Sequence, residues 1–385
     1  MKRLKIALVS HTFQKDTGAG RYMVELAKAL SREHRVHIIA NSWDKGLEGS
    51  VSTVKLPMIK GPSFFASLIF SFLSLLRLSR QKFNVIQEEI TTFSRHSILT
   101  AHECLKSQLR IMLPEVKKEP FRRLGRFLKP RFFYILLMEK YHYRLRNYKR
   151  IIAVSPLVKI HLIQEYRVPE EDIVIIPNGV SLSEFALENE TRERIRKELR
   201  RRYRIKDDDS VILFVGHDFK RKGLDYVIKA LKFLPEKTKL LVAGKGYNPF
   251  GIPFYRKLAQ RLGLVERVVF AGAVSEITNY YHAGDIFTLL SLDEPCSLAV
   301  LEAMASRIPV IVSKAVGAPY LLKDREECMV IKDPSDINEI ADAIRSLSDL
   351  NLRNKIIEGE WQKAKILSWE RVAENVTAVY YATLE

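Results

Sequence analysis

The residues with the most chemical promise lie late in the chain. An apolar run, Ile286–Leu290, leads into Ser291-Leu292-Asp293-Glu294-Pro295-Cys296-Ser297-Leu298 and then Ala299-Val300-Leu301-Glu302-Ala303-Met304-Ala305. Glu294 falls in a loop after a strand, and Glu302 falls inside the helix that follows. Pro295 suits the start of that helix. The amides of Cys296, Ser297 and Leu298 would then be unpaired first-turn donors. A carboxylate at Glu294 can accept hydrogen bonds from sugar hydroxyls while the amides meet an anionic or hydroxylated group. Glu302 shares its helix with Leu298, Val300, Leu301 and Met304, so if buried it needs a partner. The plainer alternative is a glutamate that favours the helix dipole and a second, exposed glutamate.

Three further clusters could serve the same chemistry. Lys220-Arg221-Lys222-Gly223 follows the strand-like run Val211–Gly216. Arginine offers a planar fork and lysine a point charge, so the pair could hold a diphosphate; a solubilising basic turn is the alternative. Thr17-Gly18-Ala19-Gly20 lies between the strand-like Lys5–Ser10 and the helical Arg21–Ser31. Glycines there admit close approach of a ligand to backbone, and a helix N-terminus favours negative charge. A plain tight turn is the alternative. A dinucleotide fingerprint is disfavoured, because Met23 occupies the third glycine position and Ala40-Asn41 supply no acid after the second strand. His102 ends the run Ser97–His102, where a functional residue or a structural histidine would equally fit.

These residues need elements to hold them. Strand candidates Lys5–Ser10, Val36–Ala40, Asn84–Glu88, Ser97–His102, Arg150–Ser155 and Asp172–Pro177 alternate with helical patterns. A second series runs through Val211–Gly216, Lys239–Gly244, Val268–Gly272, Ile286–Leu290 and Ile308–Ser313. Helices are expected at Leu224–Phe233, Tyr255–Leu262 and Ile337–Ser348. The fold class is α/β, with two doubly wound Rossmann-like domains. The first is expected over residues 1–180 and the second over residues 190–368, joined near 178–190. Ligands of such sheets bind at the carboxyl ends of strands, and the expectation is a cleft between the two domains.

Composition narrows the partners. The chain has 385 residues, 47% apolar and 28% charged, which excludes a mostly disordered protein. Its net charge of +18 calls for an anionic partner. The stretch Lys106–Arg150 holds fourteen Lys/Arg against three Glu, interleaved with Phe121, Phe127, Phe132, Phe133, Tyr134, Tyr141, Tyr143 and Tyr148. That pattern points to an anionic membrane surface at residues 106–150. A solvated basic face is the alternative, and nucleic acid is disfavoured because no nucleic-acid motif accompanies the charge. The three cysteines, Cys104, Cys296 and Cys328, form neither a disulfide framework nor a zinc spacing. No export signal is expected at the start, and Phe64–Leu76 is shorter than the roughly 20 residues of a spanning helix.

Taken together, the residues resemble the retaining GT-B glycosyltransferases of family 4. The likeness is carried by Gly18 and Gly20, His102, Ala153-Val154-Ser155, Ile176-Pro177-Asn178-Gly179-Val180, Phe214-Val215-Gly216 and Arg221-Lys222-Gly223. Glu294, Glu302-Ala303-Met304-Ala305 and Ser368-Trp369-Glu370-Arg371-Val372 complete it. The resemblance implies that Glu294 contacts donor-sugar hydroxyls and that Glu302 holds the ribose. Arg221 and Lys222 would neutralise the diphosphate, Gly18 and Gly20 would admit the diphosphate–sugar, and His102 would meet the sugar near the reaction centre. Cys296, Ser297 and Leu298 would line the same pocket. Residues 369–385 would pack back onto the first domain.

Val215-Gly216-His217-Asp218-Phe219-Lys220-Arg221-Lys222-Gly223 and the basic insertion look closest to the lipopolysaccharide core glucosyltransferases. That likeness implies a nucleotide-diphosphate sugar donor, UDP-glucose, and a lipid-linked glycan acceptor. It also implies a peripheral location on the cytoplasmic face of the cell membrane. No DxD motif follows a strand in a metal-binding context, so no metal and no cofactor are expected. Two departures stand out: His217 replaces a frequent arginine, and Pro295-Cys296-Ser297 replaces a glycine-phenylalanine-glycine. Rival classes are a phosphorylase-like or non-catalytic member of the fold, a dinucleotide oxidoreductase and a nucleic-acid-binding protein.

Overall fold

The computed structural model describes residues 2–15, 17–58, 63–118, 130–317 and 321–384, with backbone alone at 63, 112–118 and 131. The chain divides into two compact units, Met1–Asn178 with Trp369–Glu385, and Gly179–Ser368.

The first unit is built on a seven-stranded parallel sheet. Its strands are β1 (Lys5–Val9), β2 (Arg35–Ala40), β3 (Ser52–Lys55), β4 (Val85–Glu88), β5 (Ile98–Ala101), β6 (Arg150–Ala153) and β7 (Ile173–Ile175), in spatial order β3-β2-β1-β4-β5-β6-β7. The interior strand β1 registers Ile6 against Val36 on one side and Val85 on the other. Its residues Ile6, Ala7, Leu8 and Val9 are fully buried, as a parallel strand covered on both faces requires. Edge strand β3 was not expected from sequence, because Ser-Thr-Val-Lys is half polar and only its edge position makes that tolerable.

Helix α1 (Gly18–Ser31) follows β1 and is capped by Thr17, whose Oγ1 accepts from the Gly20 N–H at 3.1 Å. Gly18 and Gly20 therefore belong to the first turn of the helix, which begins three residues ahead of the expected Arg21. Four helices follow: α2 (Ser63–Ser79), α3 (Leu105–Lys118), α4 (Pro130–Glu139) and α5 (Pro156–Tyr166). The last helix of the chain, Trp369–Ala382, packs on α1. Arg32 pairs with Glu370 at 3.0 Å, and the Tyr381 hydroxyl donates to the Lys2 carbonyl at 2.6 Å.

The second unit carries a six-stranded parallel sheet: β8 (Ser210–Val215), β9 (Thr238–Ala243), β10 (Val268–Gly272), β11 (Ile286–Leu289), β12 (Val310–Ser313) and β13 (Met329–Ile331). Their spatial order is β10-β9-β8-β11-β12-β13. Alternation along β8 shows how both faces are covered. Val211 and Leu213 enter one apolar cluster, with Tyr281 and Val300 to Ala305; Ile212 and Phe214 enter the other, with Leu224 to Leu231, Tyr255 and Ile340. Short strand β13 was not expected from sequence.

Candidate active site

In the second unit, the ends of β8 and β11 bring Arg221, Lys222 and Glu294 together. Beyond β8 the chain turns through 216–223 into helix α6 (Leu224–Ala230). Gly223 adopts φ +77°, and a Cβ there would lie 2.2 Å from the Leu290 carbonyl oxygen, so only glycine lets the basic turn seat against the end of β11. A Cβ on Gly216 would meet the Lys222 chain at 2.4 Å, so the bare glycine leaves room for the lysine stem. The Leu292 N–H donates to the Arg221 carbonyl at 2.9 Å and stitches the two loops.

Arg221 Nη1 donates to Glu294 Oε2 at 3.0 Å and also to the Asp293 carbonyl. Lys222 Nζ stands 3.1 Å from the same Glu294 oxygen. The Glu294 backbone is itself held: its N–H donates to Ala315 O at 3.2 Å, and its carbonyl accepts from the Gly317 N–H at 2.6 Å. The loops after β8, β11 and β12 thus converge on one glutamate, the first on its carboxylate and the last on its backbone. Burial pushes the Glu294 carboxyl upward, but the charges and hydrogen bonds of Lys222 and Arg221 outweigh it, so it lies below its ordinary range. In the turn after β8, burial and the charges of Lys245 and Lys222 lower the pKa of His217. The arrangement is a fixed carboxylate with two cations, able to hold hydroxyls and to receive an anionic group.

Helix α7 (Leu298–Ala305) starts later than Pro295 suggested. Ser297 is its N-cap without a side-chain capping bond, and Pro295 lies in the loop ahead of it. Proline is favoured at the first helical position, but here the Glu294 backbone pairing with 315–317 keeps the preceding chain extended. Cys296 is half-buried and Ser297 buried. Glu302 is buried one turn into the helix, and the partner its burial demanded is the Tyr281 hydroxyl, which donates to Oε2 at 2.7 Å. Sequence reading missed Tyr281; the aromatic pair Tyr280-Tyr281 ahead of a strand was its only signal.

Three candidates belong to the first unit. His102 stands one residue past β5, and its Nε2 lies 2.9 Å from Glu89 Oε1. Glu89 stands one residue past β4 and takes the Ser10 hydroxyl on its other oxygen at 2.5 Å. Neither Glu89 nor Ser10 was singled out from sequence, although both end strands. A Cβ on Gly20 would lie 2.2 Å from the Gln14 carbonyl, whereas one on Gly18 would meet nothing within 4 Å among the described residues. Gly20 is therefore needed for the turn itself, and Gly18 leaves open space at the helix N-terminus.

The basic segment is more structural than its composition implied. Residues 119–129 lie outside the described residues, Phe121 and Phe127 among them. Tyr134 and Tyr143 are buried in the core; the Tyr141 hydroxyl donates to Phe93 O and the Tyr148 hydroxyl to Asp172. Of the expected surface aromatics, Phe133 is exposed, at 55%. The larger apolar surface is on α2, where Phe65, Ile69, Phe72 and Leu76 share one exposed face at helical spacing. Among the described residues no helix is long and apolar enough to cross a membrane.

Residues 17–184 match the Glycosyltransferase Family 4 model, and residues 195–361 match the model for Glycosyl transferases group 1. An uncharacterized glycosyltransferase of Methanocaldococcus jannaschii is 30% identical over 243 residues, 61% of this chain and 60% of the relative. Alpha-monoglucosyldiacylglycerol synthase of Streptococcus pneumoniae is 34% identical over 191 residues, 48% of this chain and 41% of the relative. The chain thus spans about 60% or less of the length of these curated relatives. Among solved structures, WaaG, a glycosyltransferase involved in lipopolysaccharide biosynthesis, superposes with a TM-score of 0.77 at 19% identity, covering 97% of this chain and 99% of WaaG. Anabaena HepE in complex with UDP-glucose gives 0.77 at 15% identity, covering 99% and 100%. With a Family 4 region in its first half, a group 1 region in its second and the two-sheet fold of these neighbours, the chain belongs to the GT-B glycosyltransferases.

Proposed function

We propose that this protein is a retaining, metal-independent hexosyltransferase that moves glucose from UDP-glucose to a lipid-linked glycan, such as a lipopolysaccharide core, at the inner face of the cell membrane. The observation that carries the reading is the grip of Arg221 and Lys222 on Glu294 at 3.0 and 3.1 Å. Two cations beside a fixed carboxylate match a sugar diphosphate: the carboxylate takes sugar hydroxyls while the cations take the phosphates. In this role Glu302 holds the ribose, Gly18 and Gly20 admit the diphosphate, and the amides of Cys296, Ser297 and Leu298 take the donor. His102 meets the sugar. The bond from the anomeric carbon to the phosphate oxygen breaks as the acceptor oxygen bonds on the same face, and the leaving phosphate accepts the acceptor's proton. Arg221 and Lys222 stabilise the charge that gathers on the diphosphate, an effect of about 3 kcal/mol per well-placed donor. UDP-glucose is supported by the complex of that ligand with HepE, a neighbour of the same fold.

The membrane reading rests on α2 and α4. Phe65 and Phe72 are 60% and 61% exposed, Phe133 and Leu137 on α4 are exposed as well, and Arg77, Arg80 and Lys82 lie exposed at the end of α2. Exposed aromatics with adjacent cations fit an anionic lipid surface. A glycolipid acceptor is the second reading, favoured by the likeness to the monoglucosyldiacylglycerol synthase. The test is turnover of UDP-glucose, read as UDP release, with lipid-linked glycan or diacylglycerol glycolipid supplied in vesicles. Arg221→Ala and Lys222→Ala should each lower kcat by about ten- to a thousandfold with the fold intact. Undiminished turnover in both variants refutes the diphosphate role, and no UDP release with any acceptor refutes the donor.

A further inference from the structure

Three neighbouring strands of the first unit, in the order β1-β4-β5, each end in a polar residue: Ser10, Glu89 and His102. Glu89 is the middle member and touches both others, with Oε1 2.9 Å from His102 Nε2 and Oε2 2.5 Å from Ser10 Oγ. Parallel strands hold their ends in register, so these contacts follow from the sheet and not from a mobile loop. The His102 ring is further confined by Tyr22, which meets it edge-on at 4.8 Å between centroids. Tyr22 is fully buried and packs in turn against Trp369, at 5.7 Å. Both facing atoms, His102 Nε2 and Glu89 Oε1, are buried and complete no hydrogen bond among the described residues, so their 2.9 Å approach is an ion-pair contact.

We propose that Glu89 is a positioning residue for the transfer reaction: it fixes His102 with Nε2–H toward Glu89 and leaves Nδ1 as the ring atom presented to the sugar. A carboxylate has only acceptors, so the nitrogen facing it must carry the proton. The second nitrogen is then the acceptor of the neutral ring, which suits a sugar hydroxyl donating to it. Ser10 holds the far side of the carboxylate and denies it the freedom to swing away. Burial raises the Glu89 carboxyl, but His102, Ser10 and His11 outweigh that and keep it below its ordinary range, so Glu89 is the charged partner at neutral pH. A histidine fixed by a carboxylate on one nitrogen enters the reaction already oriented, and loss of orientation of a reacting group costs on the order of a hundredfold in rate.

The inference rests on the role proposed for His102, and its test separates the two. Long-range nitrogen–proton NMR of the full chain reads which ring nitrogen of His102 is protonated in the neutral ring. Wild-type protein should show Nε2–H; Glu89→Ala should lose that preference; Glu89→Gln, which keeps an acceptor oxygen, should retain it. An Nδ1–H ring in the wild type overturns the proposal even if no variant folds. In turnover with UDP-glucose, Glu89→Ala should lower kcat by about ten- to a hundredfold while donor KM moves much less. Glu89→Gln should recover most of that loss, and adding Glu89→Ala to His102→Ala should cost nothing further. Additive losses in the double variant, in protein whose melting is unchanged, overturn positioning. If His102→Ala alone turns over at the wild-type rate, the sugar contact of His102 is overturned, while the ring spectrum still decides what Glu89 does.

Discussion

Glu294 holds two cations that a diphosphate would also need, and this makes a signed prediction. Glu294→Gln keeps the shape of the side chain and removes its charge. At the observed 3.0 and 3.1 Å, each ion pair carries an attraction of about 5 kcal/mol at an effective dielectric of about 20. Most of that is offset by taking the charges out of water. A net coupling of about 1.4 kcal/mol for the two released cations together corresponds to tenfold in affinity. UDP should therefore bind Glu294→Gln about tenfold tighter than wild type. Turnover should move the other way and fall about a hundredfold or more, because the fixed acceptor for sugar hydroxyls is weakened. Isothermal titration with UDP and UDP release from UDP-glucose read the two effects separately. Weaker or unchanged UDP affinity would show that Glu294 does not compete with phosphate for Arg221 and Lys222. Wild-type turnover would remove Glu294 from the sugar site.

Other perturbations probe the frame around the site. Gly223→Ala places a methyl group 2.2 Å from a carbonyl oxygen at φ +77°, and should cost about 2 kcal/mol or more in thermal or denaturant unfolding; a loss below about 0.5 kcal/mol would deny the close approach of the two loops. Phe65→Glu with Phe72→Glu alters only exposed positions. It should leave melting unchanged and reduce sedimentation with anionic vesicles by about tenfold or more, given roughly 1.5–3 kcal/mol per buried aromatic side chain; unaltered sedimentation excludes α2 as the lipid-facing element. Burial holds the Glu360 carboxyl well above its ordinary value, against the Val310 N–H and the Arg353 charge. The folded state thus keeps a proton that the unfolded chain releases, so stability falls as pH rises above the ordinary glutamate pKa. Glu360→Gln should raise Tm most at neutral and alkaline pH, with the gain shrinking on acidification; a gain independent of pH would contradict the buried neutral acid.

Much of the frame was legible because periodicity reports local burial. Ile6 to Val9 and Val211 to Phe214 read as covered strands, and both are. Ser52–Lys55 and Met329–Ile331 did not, since an edge strand may be half polar and a three-residue strand leaves no period to detect. Thr17 was visible only as part of a glycine turn; its capping of Gly20 needed coordinates. The aromatics of Lys106–Arg150 show the limit most clearly. Composition counts Tyr134 and Tyr143 as surface partners, but burial is a property of packing, and the fold spends both on the core.

Residue types and spacing by themselves determined the α/β class, the two-part organisation and a short set of candidates headed by Glu294, Arg221, Lys222 and His102. Each follows from local pattern, which a linear chain carries whole. Tertiary structure alone decided which candidates meet. It drew Glu294 onto Arg221 and Lys222, found Tyr281 for Glu302, and put Glu89 and Ser10 beside His102. Those pairings join residues 13 to 79 positions apart. Parallel sheets align strand ends that are remote in sequence, and no local pattern records which ends become neighbours.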